Sequence, residues 1–480
     1  MPVARTLLVL LLAVPALAWA EEPAGEPPAA AASGETVSYY HDIRPILRDH
    51  CQGCHQPAKR GGDYLMTGHQ SLLTGGESGS AAIVPGKPDE SYLVELITPV
   101  DGAAQMPKEK PPLPEEALAR IVRWIEAGAK DDTPPSAQKT YDADNPPVYV
   151  RSPVLTSVAF SPDGKLLAVS GYHEVLLHQA DGSQIAARLV GLSERIESVA
   201  FSPDGKLLGV AGGSPGRLGE LQMWDVETRA LRFSVPVGHD NVYGVSWSPD
   251  GKQVAIGCGD NSVRAFDAAT GQQTFFNGAH GDWALDTVFS KDGSHLVSVS
   301  RDMAVKLYEV PTQRFVDNVT SITPGALKGG LHAVARHPSE DQVLIGGADG
   351  VPKIYRLFRE QARKIGDDFN KLQEFPGMPG RVYDVAFTSD AAKAVACSSL
   401  DGTGHVHVYS VADGKRLLEL EGPLRAVYSL SIAPDNKQVA SVGFDGEVIL
   451  HDLETGKLVK RFPAVPITAP PDAPRTVSNN

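Results

Sequence analysis

The chain has 480 residues with 44 basic and 58 acidic side chains, for a formal net charge of −14. That balance, with no long basic block, argues against nucleic acid or an anionic membrane surface as a partner. Its 47 glycines and 37 prolines exceed average usage and ask for many turns, hence many short strands.

Residues 1–20 read MPVARTLLVLLLAVPALAWA. Arg5 gives a positive start, Thr6 to Val14 an apolar run, and Ala18-Trp19-Ala20 a small-x-small cleavage site. This is the pattern of a cleaved secretory signal peptide, so the mature protein is expected in the periplasm or outside the cell. The alternative is an uncleaved anchor, but the run is short for a bilayer, and no cysteine near the site could carry a lipid. Residues 21–36 are rich in Pro, Ala and Glu and read as a linker. Residues 37–131 form a first domain, and 132–148 a second Pro- and Asp-rich linker. Residues 149–463 hold repeats, and 464–480 are expected to be a disordered tail.

The first domain opens on SYYHDIRPILRDH, where Ile43, Ile46 and Leu47 are spaced for one helix face. CQGCH follows at 51–55. A thioredoxin-like redox pair would need a βαβ context, and no strand pattern flanks the motif. A zinc site would need further ligands, but Cys258 and Cys397 stand alone within repeats. A disulfide closing so small a loop would stabilise little. The fourth possibility, which export favours, is covalent attachment of c-type haem: two thiols for two vinyl groups and a histidine beside the iron. With one such motif, one haem per chain is expected.

The second axial position has three candidates, Met66, His69 and Met106, besides remaining open. Met106 is favoured by its place in GAAQMPKEKPPLPEE, a Pro-rich loop ahead of a helix. That helix, PEEALARIVRWIEAGAK, starts with Pro114 and two glutamates and carries a stripe of Leu118, Ile121, Val122 and Ile125. Helix, haem motif, methionine loop and closing helix is the order of a small all-α cytochrome c.

DIRPILRDHCQGCH, LLTGGESGSAAIVPGKPDESYLVELI, QMPKEKPPL and RWIEAGA, in that order, resemble the planctomycete-type cytochrome c domain. The resemblance implies haem c on Cys51 and Cys54 and iron ligation by His55 and Met106. Met66 departs from the family pattern, which more often has aspartate there.

The second part of the chain repeats itself. SVAFSPDGKLLAVSG at 157–171 returns as SVAFSPDGKLLGVAG at 198–212 and GVSWSPDGKQVAIGC at 244–258, with four weaker copies. The anchors Phe160, Phe201, Trp247, Phe289, Arg336, Phe387 and Ile432 lie 41 to 51 residues apart, giving seven copies. Each copy predicts an alternating strand, a Pro-Asp-Gly turn, an apolar strand, an Asp-containing turn and two further strands. One such sheet cannot bury both faces, whereas seven in a ring can. The repeats resemble the WD-repeat family, which implies an all-β, seven-bladed propeller. Trp224-Asp225 is the one full WD dipeptide and Gly238-His239 matches the Gly-His signature.

Asp260, Asp302, Asp349, Asp401 and Asp445 recur between second and third strands, and the resemblance gives them turn hydrogen bonds rather than a metal. His173, His239, His280, His332, His405 and His407 are scattered along the sequence. Cys258 and Cys397 fall in different blades and are expected not to be bonded. The insertion RLFREQARKIGDDFNKLQEF at 356–375 holds Leu357, Phe358, Phe369, Leu372 and Phe375 and is the best candidate for a contact with a protein partner.

Together these features predict an exported electron-transfer protein: one covalent haem c, a propeller for docking, an unidentified redox partner protein, and no catalytic residues. The alternatives are a periplasmic oxidoreductase with a catalytic propeller fed by the cytochrome domain, or a structural or sensor hub.

Overall fold

The computed structural model describes residues 37–56, 59–134, 141–323, 328–421 and 424–468. The signal sequence, the 21–36 segment, the middle of the 132–148 segment and residues 469–480 lie outside them. No helix among the described residues is long and apolar enough to cross a membrane.

The N-terminal part is built from short helices. A π-helical turn, Tyr39–Ile43, leads into α1 (Arg44–His50). Pro45 sits in the first turn of α1, where its missing N–H loses no helical bond. The others are α2 (His69–Thr74), α3 (Tyr92–Ile97) and α4 (Glu115–Glu126). Glu115 and Glu116 lie in the first turn of α4, where their charge complements the free N–H groups. Its buried face is Ile121, Trp124 and Ile125. Trp124 therefore takes the core position that the sequence stripe gave to Val122. Trp124 stacks on Tyr39 at 5.4 Å, and its indole N–H donates to the Lys130 carbonyl at 3.0 Å. Ile43, Leu47, Met66, Leu72 and Ile97 complete this core. The all-α expectation needs one amendment, a two-residue ladder of His55–Gln56 with Lys59–Arg60.

The repeats form seven blades of four strands adjacent in chain order, blade six carrying a fifth short strand, Leu424–Arg425, on its third strand. Blades one and two are joined by one 17-residue strand, Ile185–Phe201. Its first half pairs with Tyr172–Gln179 and its second half with Leu207–Ser214. The Pro-Asp-Gly turns fold as their chemistry requires. In the first, Asp163 accepts from the Ser161 hydroxyl at 2.6 Å, Ser161 Oγ accepts from Leu166 N at 2.9 Å, and Gly164 takes φ +70°.

An inner-strand hydrogen bond crosses every blade boundary. Ser157 Oγ accepts from Val199 N at 3.1 Å, and Ser198 Oγ from Val245 N at 3.0 Å. Thr287 donates back to the Gly244 carbonyl at 3.0 Å, and Asp286 accepts from Val334 N at 2.9 Å. His332 Nδ1 meets the Tyr383 carbonyl at 3.0 Å, and Asp384 accepts from Leu430 N at 2.9 Å. Ser429 Oγ accepts from Val158 N at 3.2 Å and so joins blade seven to blade one. Five of these groups stand three residues before the repeat anchors, so one sequence position is reused around the ring.

The first residues of the expected 464–480 tail are held against the propeller, and residues 469–480 lie outside the described residues. Ala464 and Val465 are buried, and Ile467 bridges to Tyr149 beside blade one. The end of the 132–148 segment is also held, since the Arg188 guanidinium donates to the Pro147 carbonyl at 2.6 Å.

Candidate functional site

Helix α1 delivers the motif. Cys51 caps it, with its N–H on the Leu47 carbonyl at 2.8 Å. The next turn closes on Cys51: Cys54 N and His55 N both donate to its carbonyl, at 3.1 and 3.2 Å. Both thiols thus sit on one turn, with the imidazole directly after it. Cys51 is half-buried against the helical core, Cys54 is exposed, and both are free. Burial, then the neighbouring Cys54, pushes the Cys51 thiol up to about 12, while Lys110 opposes this from the methionine loop. Burial holds the His55 imidazole below its ordinary value and so in its neutral form. Its Nδ1 is buried without a hydrogen-bond partner, and Tyr64 packs edge-on at 5.6 Å.

The three residues weighed as a partner for His55, namely Met66, His69 and Met106, part company here. His69 Nε2 is engaged by the Ala129 carbonyl at 2.7 Å, and its ring packs on Tyr39 and Trp124. Met66 is 2% exposed and belongs to the core. Its N–H donates to the His55 carbonyl at 3.0 Å. Met106 is half-buried at the rim of the same core, its N–H held by the Leu96 carbonyl at 2.9 Å.

The motif also touches the propeller, which sequence reasoning missed. A Cβ on Gly53 would stand 2.6 Å from the Ser234 carbonyl oxygen, in the outer strand of blade two. Lys59 Nζ donates to the Arg232 carbonyl at 2.6 Å. Arg48 reaches His239 Nδ1 at 3.0 Å and donates to the Arg217 carbonyl. A cleft of about 1110 Å³ lies beside this seam, bounded by Tyr39, His41, Gln52 and His69 on one side and Tyr172 and His239 on the other.

The propeller histidines are not all scattered. His173 packs on Tyr141 and Tyr172, and His332 sits between blades five and six. His280 bonds Asp302 at 2.9 Å and Ser298 at 2.6 Å; the Gly-His pair at 238–239 instead serves the seam. His405 and His407, however, come together with Glu419 on blade six. A His-x-His on a strand was the available signal, since residues two apart share a face. The recurring aspartates hold turns: Asp260, Asp302 and Asp349 each accept from the N–H two residues on, at 3.0 Å. Cys258 and Cys397 are buried in different clusters, and each is free.

The 356–375 insertion spends part of its apolar surface on the fold, while Ile365 stands fully exposed. Leu357 and Phe375 are buried, and Phe358 packs against the cluster between blades four and five. Its Arg363 bonds Asp317 and the Asn318 carbonyl. Leu372, at 42% exposed, is the one of its five expected contact residues that faces outward among the large exposed hydrophobics.

Family models match both parts of the chain. Planctomycete cytochrome C covers residues 51–110, from Cys51 past Met106. WD domain, G-beta repeat covers 148–176, 232–267, 271–309 and 414–452. The chain joins a planctomycete-type cytochrome c segment to WD repeats. Curated relatives include WD repeat-containing protein 26 homolog of Arabidopsis thaliana, 24% identical over 237 residues, 49% of this chain and 37% of that protein. Periodic tryptophan protein 2 of Arabidopsis thaliana is 26% identical over 243 residues, 51% of this chain and 25% of that protein. WD repeat-containing protein 1 of Mus musculus is 35% identical over 121 residues, 25% of this chain and 18% of that protein. The chain therefore spans well under half the length of these relatives.

Proposed function

We propose that the chain is an exported electron-transfer protein with one haem c, held through Cys51 and Cys54 and ligated by His55 and Met106, and that its WD repeats dock a protein partner. The observation that carries this is the turn at Cys51–His55: two free thiols on one turn, followed by a neutral imidazole whose buried Nδ1 has no partner. That donor set fits a c-type haem. When bound, the haem supplies a one-electron ferric–ferrous couple.

The residues of the chain do the rest. The carbonyl of Cys51 fixes the turn and so the spacing of the thiols. Burial keeps His55 unprotonated and free to donate a lone pair. The apolar core behind Cys51 and Met106 excludes water from one side of the site. His55 and Met106 would hold the iron, and an imidazole–thioether pair would favour its reduced state over two nitrogen ligands. Contact of the motif with blade two gives the propeller a short path to the redox centre.

Acid–organic extraction tests this. Haem at one per chain should stay with the polypeptide, and Cys51→Ala/Cys54→Ala should lose it. Complete loss of haem from the native chain on extraction would sink the proposal.

A further inference from the structure

We propose that His405, His407 and Glu419 form a binding site for a late first-row divalent cation such as zinc on the outer half of blade six. The three side chains offer donor atoms that all lie within 4.8 Å of one another. Strand pairing places them: His407 in Thr403–Ser410 is directly opposite Glu419 in Arg416–Glu419, and His405 is two residues along the same face. Opposed residues on a pleated sheet hold their side chains together by register alone.

The protonation pattern points to a cation. Tyr409 donates its hydroxyl proton to the Pro376 carbonyl at 3.0 Å, so toward His407 Nδ1, 3.2 Å away, it acts as acceptor. The His407 proton is then on Nδ1, and Nε2 carries a bare lone pair. That Nε2 is buried, has no hydrogen-bond partner, and faces the Glu419 carboxylate at 3.6 Å. His405 Nδ1 faces the other carboxylate oxygen at 3.3 Å. A lone pair and a carboxylate facing each other call for a positive centre between them.

Zinc bonds of about 2.1 Å put tetrahedral donors about 3.4 Å apart. Each imidazole lies near that spacing from one of the two Glu419 oxygens, 3.3 Å for His405 and 3.6 Å for His407, and a small turn of the exposed carboxylate brings a single oxygen to both. The remaining edge, between the two imidazoles, closes by rotation of His405, which is partly exposed. Imidazole with carboxylate suits zinc, copper or nickel better than calcium or magnesium. The Tyr409–His407 bond is the outer support that metal-ligating histidines ordinarily have. Arg416, 3.5 Å from Glu419, competes for the carboxylate but is half exposed and free to swing out. Three protein donors leave a fourth position to water.

The test is calorimetric titration of the tag-free full chain, stripped with chelator, with zinc chloride. One saturable site per chain in the micromolar range is expected, and it should persist in Cys51→Ala/Cys54→Ala. Glu419→Gln alters an exposed group and His405→Ala a partly exposed one; both should keep the zinc-free melting temperature within a few degrees while weakening zinc by about tenfold or more. Tyr409→Phe should weaken zinc by about 10–100-fold with all three donors intact. No saturable binding, or binding indifferent to Glu419→Gln and His405→Ala, overturns the site.

Discussion

Gly53 lies flat against Ser234: a methyl group on Gly53 would stand 2.6 Å from the Ser234 carbonyl oxygen. The second variable position of the Cys-x-x-Cys motif is thus fixed by a neighbour 181 residues away in the chain. The obstruction is backbone, so it cannot be relieved by a rotamer.

Gly53→Ala should therefore loosen the seam while leaving each part folded. Overpacking of this kind costs about 1–3 kcal/mol. Hydrogen exchange should rise at residues 48–60 and 231–239, with the inner strands of the other blades unchanged. Unaltered exchange at both segments would show that the contact does not hold the parts together.

Trp124 is 1% exposed and joins α4 to the Tyr39 turn. Trp124→Ala should cost about 3–5 kcal/mol, a large share of what so small a core provides. Calorimetry should resolve an early transition for the helical part, separate from that of the propeller. A single transition at the wild-type temperature would count against this.

Glu174 is fully buried and is neutralised by Arg188, which donates to both carboxylate oxygens at 2.6 Å. The Tyr149 hydroxyl donates to the same group at 2.7 Å. Arg188→Ala strands this carboxylate and should cost about 3–5 kcal/mol. Arg188→Met with Glu174→Leu should recover much of the loss, as read from denaturant midpoints.

Asp286 gives the propeller a pH dependence. Burial, reinforced by Asp384, raises its carboxyl from 3.8 to about 8. The folded chain thus holds a proton that the unfolded chain has released across that window. Stability from this group is highest near pH 4 and falls as pH rises to about 8. Asp384, raised by burial to about 6, adds the same trend over a narrower range. Asp286→Asn keeps a carbonyl oxygen for Val334 N but cannot ionise. Its melting temperature should fall less steeply between those limits than that of the wild type, and a parallel slope would refute the assignment.

The propeller was legible because one turn and one strand pair recur with little change, and local chemistry dictates both. Ser161, Asp163 and Gly164 can be read in six letters of sequence. The closing helix was legible from its period, although Trp124 rather than Val122 faces the core, because the neighbouring Tyr39 ring sets which face is covered. Gly53 against Ser234 left no trace in the sequence, since a glycine in a short motif has many possible reasons. Glu419 was invisible beside His405 and His407 because only strand register brings it there. The insertion at 356–375 looked like a free apolar surface because the outer strand of blade four, which supplies Asp317 and Asn318, could not be placed from sequence.

Among the described residues no blade borrows a strand from the far end of the chain. Blade seven meets blade one through Ser429 and Val158 and through the Tyr149–Ile467 bridge, not through a shared sheet. At this boundary the ring is therefore clasped by side chains and one bridge rather than welded by a shared sheet. Cutting the chain elsewhere and tying the propeller's ends together would leave the sheets whole at most boundaries; between blades one and two it would sever Ile185–Phe201, and between blades six and seven it would have to spare Leu424–Arg425, which pairs back onto blade six. Under a pulling force applied at the two termini of the propeller, the clasp should open first and the blades should then leave one by one.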